Sequence, residues 1–152
     1  DLMVFQSMML ADQYEASKRI GGLLRSGSHV ICDRWWPSGL VYGSLDGLDQ
    51  EWLSNCCDPL FKSDLNLLID LPVTTAMSRR PVPRDRYEAS RKKRSYVRKE
   101  YKKLWKIKDS ILNAYDPWVR WVIIDGRKSV NEVSKDIWKQ VREVLLTVRK
   151  KR

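Results

Sequence analysis

The sequence predicts an α/β fold, a parallel sheet with helices on both of its faces in three layers. Three apolar runs each close on aspartate: residues 29–33 (HVICD), 65–70 (LNLLID) and 118–125 (WVRWVIID). Segments with helical periodicity fill the spaces between them, and strands that alternate with helices build a parallel sheet covered on both sides. The length of 152 residues fits one domain, and 43% hydrophobic residues is enough for a sizeable core.

The elements follow in order. Residues 3–25 carry a helical pattern that stops at Ser26-Gly27. The run 29–33 is too short for a helix and fits a fully covered parallel strand, with His29 in a structural place at its start. Asp33 and Arg34 fall at its carboxyl end, where open α/β sheets keep their ligand crevice. A carboxylate there can hold a metal or orient a hydroxyl, and a guanidinium can grip a phosphate through two parallel hydrogen bonds. A buried structural ion pair is the competing reading, and the pair alone does not choose. Residues 49–57 form a short helix with Asp49 as N-cap, and Cys56 and Cys57 fall in or near the core. After the strand 65–70, a helix over 73–80 starts just past Pro72, where proline is tolerated.

Pro81-Val82-Pro83-Arg84-Asp85-Arg86 has no periodicity and is dense in arginine. On these residues alone an ordinary solvated connector is slightly favoured over a mobile loop above the crevice, and a lid loop over residues 81–90 is the reading kept beside it. Residues 91–113 form a long basic helix whose apolar face runs through Val97, Tyr101, Leu104 and Ile111. Ser129-Val130-Asn131-Glu132 is a capping box. The helix it opens buries Val133, Ile137, Val141 and Leu145 and ends in the basic tail 149–152.

The net charge of +10 is local. Residues 79–108 hold fourteen basic and three acidic residues, a net +11, and the remainder sums to −1. That points to one anionic ligand or surface. The odd number of cysteines (Cys32, Cys56, Cys57) without metal-ligand spacing favours a reducing, intracellular compartment. No apolar run approaches the roughly 20 residues of a membrane span, and no secretory signal precedes the first element.

Arginines above strand ends suggest phosphate chemistry, yet the P-loop pattern G-x-x-x-x-G-K-[ST] is absent. Residues 22–28 (GLLRSGS) have the glycine spacing, but no lysine follows Gly27 and the segment precedes a strand instead of following one. It reads as a helix stop. No zinc-like Cys/His cluster and no Ser-His-Asp set is present, and His29 is the only histidine.

Four blocks, in order and at consistent spacing, resemble one family. MLADQ (9–13) is similar to a helix segment ending Ala-Asp-Arg. CDRWWPSGLVYGSLDGLD (32–49) is similar to the motif Asp-Arg-Tyr-x-x-Ser-x-x-Ala-Tyr. SDLNLLIDLPVTTAMSRR (63–80) is similar to the strand, proline and helix that lead into a lid. RDRYE (84–88), then YVRKEYKKL (96–104) and VIIDGRKSVNEV (122–133), are similar to the lid exit and the C-terminal strand and helix. The chain thus resembles the C-terminal two-thirds of thymidylate kinases, P-loop nucleoside monophosphate kinases, over nearly its whole length.

The resemblance implies transfer of the ATP γ-phosphoryl group to dTMP, with Mg²⁺. It implies that Arg34 binds the dTMP phosphate and that Asp33 acts beside the metal and the transferring group. Met9, Gln13, Ser38 and Tyr42 would line the acceptor pocket. Arg79, Arg80, Arg84 and Arg86 would form the lid around ATP, with Arg84 and Arg86 stabilising charge at the transferred group. Arg127 and Lys128 would lie beside the adenine. The acceptor positions depart from the family pattern: Gln13 stands for an arginine, Met9 for a stacking phenylalanine, Trp35 for Tyr or His, and Gly43 for a common glutamine.

The family also places its P-loop strand between the strands that close on Asp33 and Asp70. Without it those two strands are expected not to be neighbours. The chain is expected to be an N-terminally truncated single domain (residues 1–152), inactive alone, or to take its central strand from a partner. The resemblance further implies a homodimer acting on a small molecule, and the cysteines fit a cytoplasmic or other reducing intracellular compartment. The rivals are a deoxynucleoside kinase, a non-catalytic nucleotide-binding relative, and a nucleic-acid module built on the basic helix. That last is the least favoured of the three, because apolar positions at helical spacing more often face a core.

Overall fold

The computed structural model describes residues 1–107 and 119–149. The chain divides into two compact units, Asp1–Lys62 and Ser63–Arg152. Ile111, Trp118 and residues 150–152 lie outside the described residues, as do the ends of the helix expected to 113 and of the strand expected from 118.

The first unit is helical. α1 (Leu2–Arg25) starts on Asp1, whose carboxylate accepts the N–H groups of Met3 at 2.8 Å and Val4 at 3.4 Å. At its other end Gly27 has φ +85°, a conformation that suits glycine. The Ser28 N–H bonds the Leu23 carbonyl and the Gly27 N–H bonds the Leu24 carbonyl, each at 3.0 Å. That pair of bonds is a Schellman stop and satisfies carbonyls the helix would otherwise leave open. α2 (Trp36–Leu45) carries no amphipathic stripe. It buries Trp36, Pro37, Gly39, Val41 and Gly43. α3 (Gln50–Cys57) is capped by Asp49, which accepts the Trp52 N–H at 2.7 Å. Leu10, Trp36, Val41, Leu53, Cys57 and Leu60 form the core of this unit. Burial pushes the Cys57 thiol up to about 11, so Cys57 packs as a neutral apolar group.

The expected strand over 29–33 does not form. Residues 28–32 have no regular structure, and His29, Ile31, Cys32, Asp33 and Arg34 are exposed, Ile31 at 97%. The reason is that strand formation is non-local. An apolar run becomes a strand only when a neighbour takes its N–H and C=O groups, and no neighbouring strand pairs with 28–32 among the described residues. His29 and Cys32 are therefore surface residues, and Asp33 and Arg34 sit at a bend instead of a strand end.

The second unit is α/β. β1 (Leu65–Asp70) and β2 (Arg120–Asp125) pair in parallel, with Leu65 opposite Arg120 and Asp70 opposite Asp125. Among the described residues the sheet has two strands, not the three that the Asp-terminated runs predicted. α4 (Val73–Arg79) follows Pro72, and α5 (Arg91–Ile107) packs against it. α6 (Val130–Arg149) lies along both strands. Its capping box is present: the Ser129 N–H reaches Glu132 Oε2 at 3.0 Å, and the Glu132 N–H reaches Ser129 Oγ at 3.4 Å. Val97, Tyr101 and Leu104 of α5 are half-buried, as expected of its apolar face. Glu100 of α5 is buried, 6% exposed, and holds Lys103 Nζ at 2.7 Å.

Candidate active site

Asp33, Arg34, Ser38 and Tyr42 are carried by the bend before α2 and by α2 itself. Arg34 has φ +67°, the one non-glycine positive φ among the described residues. For an L-residue with a long side chain this costs about 1–2 kcal/mol. The twist throws the side chain back along α2, and the guanidinium lies 4.9 Å from the centroid of the Tyr42 ring. Ser38 and Tyr42 are one turn apart, so they share a face of α2. Trp35 fastens the bend by donating its indole N–H to the Phe61 carbonyl at 2.9 Å. Met9 is exposed on α1, and Gln13, one turn later, is half-buried with Oε1 lacking a hydrogen-bond partner. The structure thus brings Arg34 and Tyr42 together. Asp33, Met9 and Gln13 make no hydrogen bond, ion pair or ring contact with that pair.

In the second unit the C-terminal ends of the strands gather a second set. Gly126 follows β2 and donates its N–H to the Asp70 carbonyl at 2.8 Å. A Cβ there would come within 3.0 Å of Ile69 and 3.1 Å of the Asp70 carbonyl oxygen, so the close approach requires glycine. Arg79, on the last turn of α4, donates to the Gly126 carbonyl at 2.6 Å and the Arg127 carbonyl at 3.0 Å. Arg127 forks onto Asp125 at 2.9 and 2.7 Å, and this hydrogen bonding holds the Asp125 carboxyl well below the usual range. Lys128 pairs with Asp136 at 2.6 Å. Arg79, Arg127 and Lys128 are therefore brought to one edge of the sheet, while Arg80 is exposed beside them in sequence.

The segment 81–90 folds on itself. Asp85 accepts the N–H groups of Tyr87 and Glu88 at 2.8 and 2.9 Å, an Asx turn. Glu88 accepts the Arg84 backbone N–H at 3.0 Å and its guanidinium at 3.3 Å. That backbone bond, with the guanidinium, lowers the Glu88 pKa. Arg86 lies over Tyr87, 4.6 Å from the ring centroid.

Sequence reasoning missed the strongest ionic cluster. Asp70 receives Arg98 at 2.6 and 2.9 Å and Lys102 at 2.8 Å. Hydrogen bonding from Arg98, with Lys102 adding to it, pulls the Asp70 pKa down. The visible signal was an aspartate closing an apolar run and, downstream, two cations at i and i+4 on one helix.

Among the described residues no three His, Cys, Asp or Glu side chains are placed to hold a metal. Asp33 is one exposed carboxylate. That suits Mg²⁺ only as part of a shell completed by water and substrate phosphates, which is how this ion is usually bound. No helix among the described residues is long and apolar enough to cross a membrane.

A family model described as thymidylate kinase matches residues 2–137. The probable thymidylate kinase of Thermococcus kodakarensis is 31% identical over 131 residues, covering 86% of this chain and 60% of that protein. The thymidylate kinase of Dictyostelium discoideum is 27% identical over 129 residues, covering 84% and 52%. The probable thymidylate kinase of Pyrococcus abyssi is 31% identical over 140 residues, covering 91% and 64%. The chain spans between about half and two-thirds of the length of these curated relatives.

Proposed function

The chain belongs to the thymidylate kinase family, and from that premise we propose that it carries part of a phosphotransferase moving the ATP γ-phosphoryl group to dTMP, giving dTDP. The observation that carries this reading is Arg34, a strained arginine with its guanidinium beside Tyr42. Strained backbone persists where surrounding structure holds it, and such sites cluster at ligand clamps. A guanidinium suits a phosphate because its fork matches two oxygens.

In this reading Arg34 holds the acceptor phosphate, and Tyr42 and Ser38 present one helix face to the nucleoside. Met9 and Gln13 contribute from α1, Gln13 by hydrogen bonding without charge. Asp33 stands beside the phosphates, and Mg²⁺, when bound with ATP, neutralises charge on them. Arg79, Arg80, Arg127 and Lys128 bind the ATP side. Arg84 and Arg86 stabilise the transferred group, which requires Arg84 to exchange Glu88 for a phosphate. Phosphoryl transfer depends on positioning and charge neutralisation more than on covalent chemistry. Losing one such charged group costs about 3–4 kcal/mol of barrier.

The complete fold in this proposal is the family's three-layer P-loop sheet, in which residues 29–33 become a strand. The segment 81–90 acts as the lid, the enzyme is a homodimer, and it works in a reducing cytoplasmic compartment. The chain as given has no P-loop motif and is proposed to be inactive alone. The test is equilibrium binding of dTMP and of thymidine to the chain. The expected result is that dTMP binds about tenfold or more tightly, and that Arg34→Ala erases the difference. Equal affinities in the unmodified chain refute the assignment of Arg34. Tighter binding of thymidine favours a deoxynucleoside kinase.

A further inference from the structure

The basic helix α5 sorts its charges. Its inward cations are matched: Arg98 and Lys102 share Asp70, and Arg94 lies on Glu88 with its Nε on the Glu88 carbonyl. Glu100 is buried and turned to Lys103. Every carboxylate these cations meet is thereby taken. The outward positions are Lys92, Ser95, Lys99, Lys103 and Lys106, all exposed. They are separated by three or four residues, so they form one stripe. Among the described residues Lys92, Lys99 and Lys106 have no carboxylate partner, nor does Arg91 beside them. The stripe spans fifteen residues, about 21 Å of helix. Val97, Tyr101, Leu104 and Trp105 are half-buried on the other side, and Tyr96, four residues from Lys92 and three from Lys99, is half-buried along the flank of the stripe.

We propose that this outward face of α5 binds the phosphate backbone of a nucleic acid. Lys99, Lys103 and Lys106 stand four and three residues apart, a like-charge spacing that opposes helix formation, and a ligand that supplies further negative charge relieves this. The ligand must be a polymer, because Lys92 and Lys99 are about 10 Å apart along the axis and a single small anion cannot meet the row. A membrane surface is disfavoured, since surface-bound helices need an apolar face to insert. An acidic protein is disfavoured too, because lysine and serine are depleted at protein interfaces. A duplex offers a charge every ~1.7 Å of its axis, which a straight row of cations can follow with no base contact. Binding should therefore be independent of sequence and sensitive to salt. Val97, Tyr101 and Leu104 form the apolar side of α5, as its periodicity demanded, and the outward row is four lysines and one serine. This proposal does not depend on the kinase reading.

The test is fluorescence anisotropy of labelled single-stranded and duplex oligonucleotides with the full chain across a salt series. With four backbone contacts, log affinity for duplex should fall with log salt at a slope of about −3.6. That is an affinity loss on the order of 10²-fold between about 50 and 200 mM. The triple variant K92Q/K99Q/K106Q should flatten the slope by about 2.7. K92R/K99R/K106R should keep it, which separates lost charge from lost folding. K135Q/K139Q/R142Q removes as much charge from exposed positions of α6 and should leave the slope unchanged. The proposal is overturned by a slope near zero, by an equal effect of the α6 variant, or by tighter binding to polyglutamate or phosphatidylserine vesicles than to oligonucleotide.

Discussion

Arg34 is held at φ +67° although nothing about arginine favours that conformation. Glycine adopts it without a steric penalty. The two substitutions Arg34→Gly and Arg34→Ala remove the same guanidinium but differ in backbone cost. Arg34→Gly should be more stable than Arg34→Ala by about 1 kcal/mol, and both should bind dTMP and thymidine alike if the proposed role of Arg34 holds. Chemical denaturation of the two variants side by side reads this directly. Equal midpoints would mean that the bend relaxes and the strain is not intrinsic to the site.

Asp70 makes the opposite case, an ionic group whose worth is stability. Its side chain is largely buried and holds both Arg98 and Lys102, and its pKa is lowered chiefly by the Arg98 hydrogen bonds. A carboxyl with a folded pKa below its unfolded value contributes stability that is fully present above the unfolded value. That stability is lost as pH falls through the folded one. Asp70→Asn should therefore destabilise the chain at neutral pH by about 1–3 kcal/mol, the worth of charge-assisted hydrogen bonds. It should also flatten the loss of stability below about pH 4. Unfolding titrations of both proteins at neutral and acid pH test it, and parallel pH profiles would sink it.

At the scale of elements, packing decides where local pattern is silent. Gly43 on α2 is buried, and a Cβ at that position would lie 2.7 and 2.8 Å from the two methyl carbons of Leu53 on α3. Leu53 is 0% exposed, so it has no free volume to enter. Gly43→Ala should cost about 1–3 kcal/mol by overpacking, and Leu53→Ala about 2–5 kcal/mol by leaving a cavity. The double variant should be less destabilised than the sum, because the new methyl enters the space the leucine leaves. Thermal unfolding of the three proteins checks this, and strict additivity would show that α2 does not pack through this contact.

The same elements show what a sequence can and cannot disclose. α1, α3, α4 and α6 were legible because their ends are set locally, by Asp49, Pro72, the Ser129–Glu132 box and Gly27. α2 was not, because it is apolar on every face and carries a proline and two glycines, so periodicity gives no signal. The run 29–33 was misread for the reverse reason: its pattern is right for a strand, but pairing is supplied by residues elsewhere. Of the candidate site, the residue types were legible and their partners were not. Nothing in RDRYE tells that Glu88 takes Arg84, and nothing near residue 70 tells that residues 98 and 102 reach it.

For the whole molecule, the central question is what residues 29–33 and the open edge of β1 lack. β1 pairs with β2 on one side, and no other strand joins it among the described residues. Residues 28–32 keep an exposed isoleucine and an apolar sequence that no strand among the described residues pairs with. Each would have its free backbone groups satisfied by a strand that pairs with it. The fold proposed above supplies such a strand, and its P-loop would cradle ATP phosphates. Fusing a relative's strand and P-loop segment ahead of Asp1 should do two things at once. It should protect the backbone amides of residues 30–33 from hydrogen exchange, and it should confer ATP- and Mg²⁺-dependent conversion of dTMP to dTDP. Arg34→Ala in that fusion should then lower turnover by about 10²–10³-fold. The unfused chain should show neither protection nor turnover. Protection without activity would place the fault in the acceptor residues, where Gln13 and Met9 depart from the family pattern. Activity in the unfused chain would overturn the need for the P-loop altogether.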